Sequence, residues 1–392
     1  MRHVRAPRDT LRRPSVVLFA CLFASQAGLL VLSPILPELA REFGVSTAAA
    51  GQLRTLSGAT GGISAVLLAF LPRRPGLRTL LSAGAALVIV GSALSAAAPC
   101  FAVLAGAQGA IGVGVGVLVA VGIAAAGEWS TPSERPRTLA WTIAGMPAAW
   151  VLGMPLAGAA ASVDWRVAWL ALPATSALVA LLLVRRVPQD RPTVRRCGAA
   201  AWRRPDVARF TAGELLANAA WAGVLTYSGS LLIESYGASR GLVSAGLGMA
   251  AAAMVPGTFV GRRGVLRATP AVLGALTFAQ AGMVTTLGAV RPGAGLSLAL
   301  LTVMAFLNGW RSMIASGLGM ESAPDDKVTV MSMRAAANQF GYLLGAALGG
   351  LALAAGGFGM MGMTFSSLFA LGALVHLAPR MTTGPRAAAQ PA

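Results

Sequence analysis

The sequence predicts an all-α polytopic membrane protein with twelve transmembrane helices. Of its 392 residues, 56% are hydrophobic and only 11% are charged, which is less than half of the roughly 25% charged residues in a soluble domain. A hydrocarbon core about 30 Å thick requires about 20 apolar residues per helix, so twelve helices use about 240 residues. The sustained apolar and polar alternation of a transmembrane β-barrel does not occur over these lengths.

Twelve apolar segments are long enough to cross a bilayer, and most connections between them are short. Short connections place neighbouring helices antiparallel. The predicted helices are 15–37, 47–71, 77–98, 101–126, 138–161, 166–184, 208–233, 242–260, 269–290, 295–320, 329–355 and 358–378. The longest gap between them, 185–207, is basic and divides the helices into two sets of six.

Positive charge is concentrated on one side of the predicted protein, which we call the basic side. The chain has 31 Lys and Arg against 13 Asp and Glu, and most basic residues lie in the two tails or follow even-numbered helices. Basic loops face the cytoplasm, so we expect a multi-pass protein with both termini in the cytoplasm. The choice of Arg over a single Lys indicates a GC-rich bacterial genome, hence a bacterial inner membrane. Nucleic acid is not an expected partner, because no soluble stretch gathers these charges.

Two short basic loops repeat about half a chain apart, at 69–78 and 257–267. Each joins the second and third helices of a six-helix block. The predicted organisation is a cytoplasmic N-terminal tail 1–14, a six-helix bundle 15–184, a basic linker 185–207, a second six-helix bundle 208–378 and a C-terminal tail 379–392. Two repeated bundles that rock about a site at the bilayer midplane are a transporter architecture.

Five motifs follow one another along the chain. They are residues 33–46 with 50–53, the two basic loops, Gly145-(x7)-Gly153-Met-Pro155-Leu-Ala-Gly158, Asp164-Trp165-Arg166, and Arg334-(x3)-Asn338-(x2)-Gly341-(x3)-Gly345-(x3)-Gly349. In this order, the set resembles the major facilitator superfamily. The fifth-helix motif is similar to that of its drug/proton antiporter and arabinose-efflux-like branch. The resemblance covers almost the whole chain and implies the major facilitator fold.

The resemblance also implies which residues change conformation during transport. Pro155 removes a helix hydrogen bond and bends the fifth helix, so motion between the bundles is expected there. The candidate gating residues are Gly145, Gly153, Pro155, Gly158, Arg74, Gly76, Arg78, Arg262 and Gly264. Arg73 and Gly261 stand where the family has a loop carboxylate, so the gate must be held differently or more weakly. Ala105 stands near the place of the family's fourth-helix Arg, so coupling through that Arg cannot be carried over.

Charged residues inside a membrane span are expensive and indicate function. Arg54, Glu214 and Arg311 lie well inside predicted helices. Glu214 and Arg311 are at similar depths in the seventh and tenth helices, which in the family face a central cavity, so we predict that they approach each other. One hypothesis is that Glu214 carries a coupling proton, because motion away from Arg311 would change its proton affinity. The other is a permanent structural ion pair.

Arg54 lies about two turns from the outer end of the second helix. It either binds an anionic substrate group, pairs with Glu38 or Glu234 at an outer gate, or extends to the membrane interface. Binding pockets are mostly apolar with a few convergent polar groups. The other cavity candidates are polar or aromatic residues of the first, seventh, tenth and eleventh helices: Gln26, Asn218, Trp221, Asn308, Asn338, Gln339 and Tyr342.

No enzyme, cofactor or metal centre is predicted. The His residues, His3 and His376, lie near the termini, which disfavours a His-based triad or a multi-His metal site. A phosphate-binding loop is missing, so ATP hydrolysis by this chain is not expected. Three Cys in three environments form no disulfide framework.

Three functions compete. The leading expectation is a monomeric secondary transporter that exports small amphipathic molecules, such as drugs or natural products, in exchange for protons. The alternative is an uptake symporter or facilitator for a polar metabolite, such as a sugar or organic anion. A third possibility is a membrane scaffold or sensor, but the linker 185–207 is too short for a signalling domain.

Overall fold

The structure is a computed structural model, and it describes most of the chain. The described residues are 13–32, 35, 39, 41–45, 47–70, 73–161, 163–187, 193–194, 204–238, 240–264, 269–322 and 327–378. Nearly all of the two predicted tails, and most of the linker 185–207, lie outside these residues.

Twelve helices form within the described residues, close to the predicted segments. Their bounds are Pro14–Leu30 (α1), Thr47–Phe70 (α2), Leu77–Ala96 (α3), Phe101–Glu128 (α4), Arg135–Ala161 (α5), Trp165–Arg185 (α6), Pro205–Tyr236 (α7), Arg240–Gly264 (α8), Pro270–Val290 (α9), Ala294–Ser322 (α10), 327–355 (α11) and 358–377 (α12). In the described part of the chain, eight helical segments, with α11 and α12 counted as one, are long and apolar enough to cross a membrane by length and composition. A helix satisfies its own backbone hydrogen bonds, which a lipid environment requires.

Two residues separate the last two helices. Gly356 and Gly357 have non-helical backbone angles inside an otherwise continuous helical stretch, and Gly357 has φ of +65° and ψ of −161°. A residue with a Cβ rarely adopts these backbone angles, whereas glycine adopts them readily. The predicted boundary between the eleventh and twelfth helices is therefore confirmed.

A short strand pair that the sequence did not predict lies on the basic side. Arg73–Arg74 (β1) pairs antiparallel with Thr193–Val194 (β2). Next to this pair, Arg78 Nη2 donates a hydrogen bond to the Arg185 carbonyl at 2.7 Å. The first basic loop is therefore attached to the linker that joins the two halves of the protein.

The apolar core shows how the N half (α1–α6) meets the C half (α7–α12). The core of the N half continues into the basic-side ends of α10 and α11, where it includes Met313, Met320 and Met331. A separate core in the C half contains Trp221 and Phe365. The two halves are therefore packed together on the basic side of the protein.

Candidate functional site

A cluster of charged side chains lies buried inside the C half, centred on Glu214 of α7. Arg311 Nη1 of α10 lies 2.6 Å from Glu214 Oε1, and both side chains are 0% exposed. Arg334 Nε of α11 lies 2.8 Å from Glu214 Oε2. The predicted approach of Glu214 and Arg311 is therefore confirmed, and both carboxylate oxygens hold an Arg. Buried charges require such partners, because removing an ion from water is costly.

Two amide side chains complete the surroundings of Arg311. Its Nε donates to Asn308 Oδ1 and its Nη2 donates to Asn218 Oδ1, both at 3.2 Å. The sequence predicts Asn218 and Asn308 as cavity residues, but both are buried and direct their oxygens at Arg311. All three guanidinium nitrogens of Arg311 are therefore engaged, which fixes its orientation towards Glu214.

A histidine completes the cluster from α12. His376 Nε2 lies 3.8 Å from Glu214 Oε1, and the His376 side chain is only 3% exposed. This nitrogen has no hydrogen-bond partner among the described residues. A methyl group at Gly213 would overlap the His376 ring, so the glycine before Glu214 allows the imidazole to approach α7.

Sequence reasoning missed Arg334 and His376 as members of this cluster. Arg334 lies five residues after the predicted start of the eleventh helix, and His376 was placed near a terminus. One signal could have identified Arg334. It shares a helix face with Gly341 and Gly345, at positions i, i+7 and i+11, and methyl groups at these glycines would meet residues of α7. Arg334 therefore faces α7, which carries Glu214.

A second group of side chains lies between the N half and α11. Trp150 Nε1 of α5 donates to Gln26 Oε1 of α1 at 3.3 Å. The Arg54 guanidinium of α2 lies 5.6 Å from the Trp150 ring centroid, a cation–π distance. Tyr342 of α11 lies within electrostatic reach of Arg54. We call Gln26, Arg54, Trp150 and Tyr342 the central group. Glu38, one predicted partner of Arg54, lies outside the described residues.

The remaining cavity candidates take different positions. Trp221 is buried in the apolar core of the C half, and Asn338 is half-buried. Gln339 lies in the contact between the halves, because a Cβ at Gly61 of α2 would lie 2.7 Å from its Nε2. Its neighbour Phe340 packs against α2 in the same way, so α11 is in direct contact with the N half.

The predicted gating residues of α5 lie in close helix contacts. A methyl group at Gly145 would overlap the backbone of Phe19 in α1, and Gly153 faces Leu30 and Leu172. Pro155 lies exposed inside α5. The sequence prediction that α5 bends or moves against its neighbours stays a prediction.

The gating candidates in the basic loops lie at helix ends and in the strand pair. Gly76 precedes α3, and Arg262 lies in the last turn of α8. Arg74 pairs through its backbone with Thr193. The side-chain surroundings of Arg74, Gly158 and Gly264 lie outside the described part of the structure.

Further side-chain contacts join the halves on the basic side. Lys327 Nζ at the start of α11 lies 3.2 Å from Glu128 Oε1 at the end of α4. Trp141 of α5 and Phe259 of α8 stack edge to face with ring centroids 5.1 Å apart. We call the Glu128–Lys327 ion pair the latch. It joins the halves although the family's loop carboxylate is replaced by Arg73.

On the opposite side, an ion pair holds the N half together. Trp165 Nε1 donates to Glu42 Oε2 at 2.8 Å, and Arg166 Nη1 donates to Glu42 Oε1 at 2.7 Å. The pKa of Glu42 lies below its usual 4.5, chiefly because of the hydrogen bond from Trp165 and next because of that from Arg166. Both helix α6 and the segment before α2 are fixed at this point.

The cavity found in the C half lies away from these charged groups. It is lined by apolar side chains of α7, α9 and α12, including Val224, Leu287 and Phe365. Its one hydroxyl, that of Ser228, donates to the carbonyl of Val224. This cavity offers little for polar recognition, so the central group is the better candidate site.

Comparison with known proteins decides the family. Residues 18–332 match the family model of the Major Facilitator Superfamily. The chain belongs to the major facilitator superfamily. The helices of this major facilitator agree with the predicted twelve-helix membrane fold.

Relatives of this major facilitator cover only part of its length. The uncharacterized MFS-type transporter YfhI of Bacillus subtilis (strain 168) is 29% identical over 195 residues, which are 47% of this chain and 48% of YfhI. This chain spans about half the length of the curated relatives that it matches.

Solved structures share the fold of this major facilitator over nearly the whole chain. The human organic anion transporter MFSD10 (TETRAN) has a TM-score of 0.75 at 16% identity, covering 94% of this chain and 100% of that one. A variant of the Escherichia coli fucose:proton symporter FucP has a TM-score of 0.73 at 15% identity, covering 93% and 98%. At these identities the likeness shows the fold alone.

Proposed function

We propose that this transporter exports small amphipathic molecules in exchange for protons. It acts as a monomer in a bacterial inner membrane, with the basic side and both termini in the cytoplasm. The central group carries the proposal, since Gln26, Arg54, Trp150 and Tyr342 come from four helices of both halves. A substrate that contacts this group therefore contacts both halves that move in alternating access.

The chemistry of the central group favours an amphipathic substrate. An indole and a phenol provide large apolar faces, while one amide and one guanidinium provide polar contacts. A mostly apolar site with a few polar groups is the usual composition of a pocket for small organic molecules. Sugar sites depend on many hydrogen-bonding groups, and the central group has few.

Proton coupling is proposed to act through Glu214. Its carboxylate is shared by Arg311 and Arg334 at 2.6 and 2.8 Å. A nearby cation favours the ionised carboxylate, and loss of that cation favours the protonated one. Motion that separates Glu214 from an Arg therefore changes the proton affinity of the cluster.

Transport by the purified protein tests this proposal. Proteoliposomes with an imposed pH gradient and ethidium as the probe are expected to show gradient-driven ethidium movement. Glu214→Gln should abolish the dependence on the gradient, while Glu134→Gln, at an exposed loop carboxylate, should retain it. Full gradient-driven transport by the Glu214→Gln protein would remove Glu214 from the coupling mechanism.

A second candidate function is a facilitator or uptake symporter for organic anions. The observation that favours it is the excess of Arg within the helices. Arg311 and Arg334 are buried and Arg54 is half-buried. Among the described residues, the one buried carboxylate is that of Glu214. Fluorescein as an anionic probe in the same proteoliposomes separates the two. Transport of fluorescein but not ethidium, inhibited by Arg54→Ala, would favour this second function.

A further inference from the structure

We propose that His376 is the group that takes up the coupling proton, at Nε2, when α11 withdraws Arg334 from Glu214. This inference rests on the proposed proton coupling and assigns it to one atom. The proton binds the nitrogen lone pair, and the resulting imidazolium replaces Arg334 as a partner of the Glu214 carboxylate. No other co-reactant is required.

The His376 imidazole lies beside the Glu214 carboxylate, which is already paired with two arginines. Its Nε2 lies 3.8 Å from Glu214 Oε1, about 1 Å beyond a charge-assisted hydrogen bond. That nitrogen is buried and has no hydrogen-bond partner among the described residues. A buried polar atom without a partner is unusual and calls for an explanation. A protonated Nε2 would become a donor, and Glu214 Oε1 is an acceptor 3.8 Å away.

The proton affinity of His376 depends on the position of Arg334, because both cations would lie beside Glu214. The charged groups near His376 are Glu214 and Arg209 from α7, Arg311 from α10 and Arg334 from α11. Helix α9, which packs against α12, has no ionisable side chain. While both arginines of the cluster hold Glu214, a third cation is repelled. When Arg334 leaves, the carboxylate loses a partner and favours a positive charge on His376.

Helix α11 connects this site to the motion of the two halves. It carries Arg334 in the cluster, Lys327 in the latch, and Phe340 in the contact with α2. Separation of the halves on the basic side therefore acts on the helix that holds Arg334. Coupling between two events is reciprocal. If movement of α11 favours protonation of His376, protonation of His376 favours movement of α11.

His376 also has a short route to the basic side. It is the last residue but one of α12, and Arg209 Nη1 donates to the Ala378 carbonyl just beyond it at 2.7 Å. The imidazole is therefore close to the basic-side end of α12, at the same depth as the Glu214 carboxylate 3.8 Å away.

The histidine content of the chain allows a direct test. His3 and His376 are its two His residues, so His3→Gln leaves one imidazole that NMR can observe in nanodiscs with labelled histidine. Arg334→Gln is expected to raise the titration midpoint of His376 by about one pH unit, a tenfold gain in proton affinity. Glu214→Gln should lower it. Arg137→Gln, an exposed position in the N half, should leave it unchanged.

A second variant and a second readout keep the result decisive. If Arg334→Gln does not fold, Arg334→Lys keeps the charge but shortens its reach, and a smaller rise is expected. Spin-label distances between the halves on the basic side should depend on pH in the wild type and lose that dependence in His376→Gln. Two results would overturn the inference. One is a His376 titration midpoint that is unchanged by Arg334→Gln, and the other is a pH dependence of the spin-label distances that His376→Gln retains.

These outcomes are separate from those of the proposed function. If ethidium does not move but the His376 titration responds to Arg334, the substrate proposal fails and the assignment of the proton site stands. If ethidium moves with the gradient in His376→Gln at the wild-type rate, the proton site is wrong and export remains supported.

Discussion

Replacing Lys327 by Met is expected to shift the transporter towards a state that is open on the basic side. Lys327 Nζ lies 3.2 Å from Glu128 Oε1, and this pair joins α11 of the C half to α4 of the N half. The pair forms only while these helix ends are in contact. In the proposed alternating access it therefore stabilises one state and not the other, and its loss changes their ratio.

The size of this shift follows from the exposure of the two side chains. Glu128 is 36% exposed and Lys327 is 14% exposed, so water screens the pair strongly. We therefore assign the latch about 0.5–1 kcal/mol, the upper part of the range for exposed ion pairs. Because about 1.4 kcal/mol is a factor of ten, losing the latch changes the ratio of the two states by about two- to fivefold.

Double electron–electron resonance in nanodiscs measures this ratio. Ser133→Cys and Ala378→Cys place spin labels on exposed positions of the two halves on the basic side, after Cys100 and Cys197 are replaced by Ser. Lys327→Met and Glu128→Gln should each increase the long-distance population, and the double variant should add nothing further, because one pair is lost only once. The reversed pair Glu128→Lys with Lys327→Glu should restore the wild-type ratio.

Two results would refute this reasoning. One is an unchanged distance distribution in both single variants when the wild type samples both states. The other is an additive effect in the double variant, which would show that the two side chains act separately. Arg137→Gln, a neighbouring exposed charge outside the latch, controls for a general effect of charge on the basic side.

Three further predictions follow from single contacts. Arg54→Ala should weaken probe binding, measured by tryptophan fluorescence, without lowering membrane expression, because its guanidinium stacks on an indole of the central group. Gly213→Ala should lower the melting temperature by overpacking the His376 ring, at a cost of about 1–3 kcal/mol. Glu42→Gln should lower the melting temperature at neutral pH. This difference should disappear as pH falls below 4.5, because the Trp165 hydrogen bond lowers the pKa of Glu42, and that stabilisation is lost when the carboxylate is protonated.

The fold could be predicted closely because a bilayer leaves few alternatives for an apolar chain. Helix α4, predicted at 101–126, forms at Phe101–Glu128. Helix α7, predicted at 208–233, extends to Pro205–Tyr236, since polar ends beyond the hydrocarbon remain helical. The π-helical turn at Leu170–Ala174 in α6 was not predicted, because hydropathy reports where a chain spans but not its local hydrogen-bond register.

The candidate site could be predicted only in part. Depth along a helix was enough to pair Glu214 with Arg311, because both lie deep in apolar segments. It was not enough for His376, which lies at the end of its helix, where depth alone does not indicate burial. The sequence also did not show in which direction a side chain points. The sequence predicted Asn218 as a cavity residue, but only the structure shows that its oxygen faces Arg311.

The position of the charge cluster limits how coupling can work. Glu214, Arg311, Arg334 and His376 all belong to the C half, so rigid rocking of the two halves would leave every distance in the cluster unchanged. Proton coupling through the cluster therefore requires a helix of the C half to move relative to its neighbours. Helix α11 fits this role, because it contributes to the cluster, the latch and the central group. Its glycines bring its backbone close to α7 without intervening side chains, so a slide of α11 along α7 would displace Arg334 from Glu214 without opening the core.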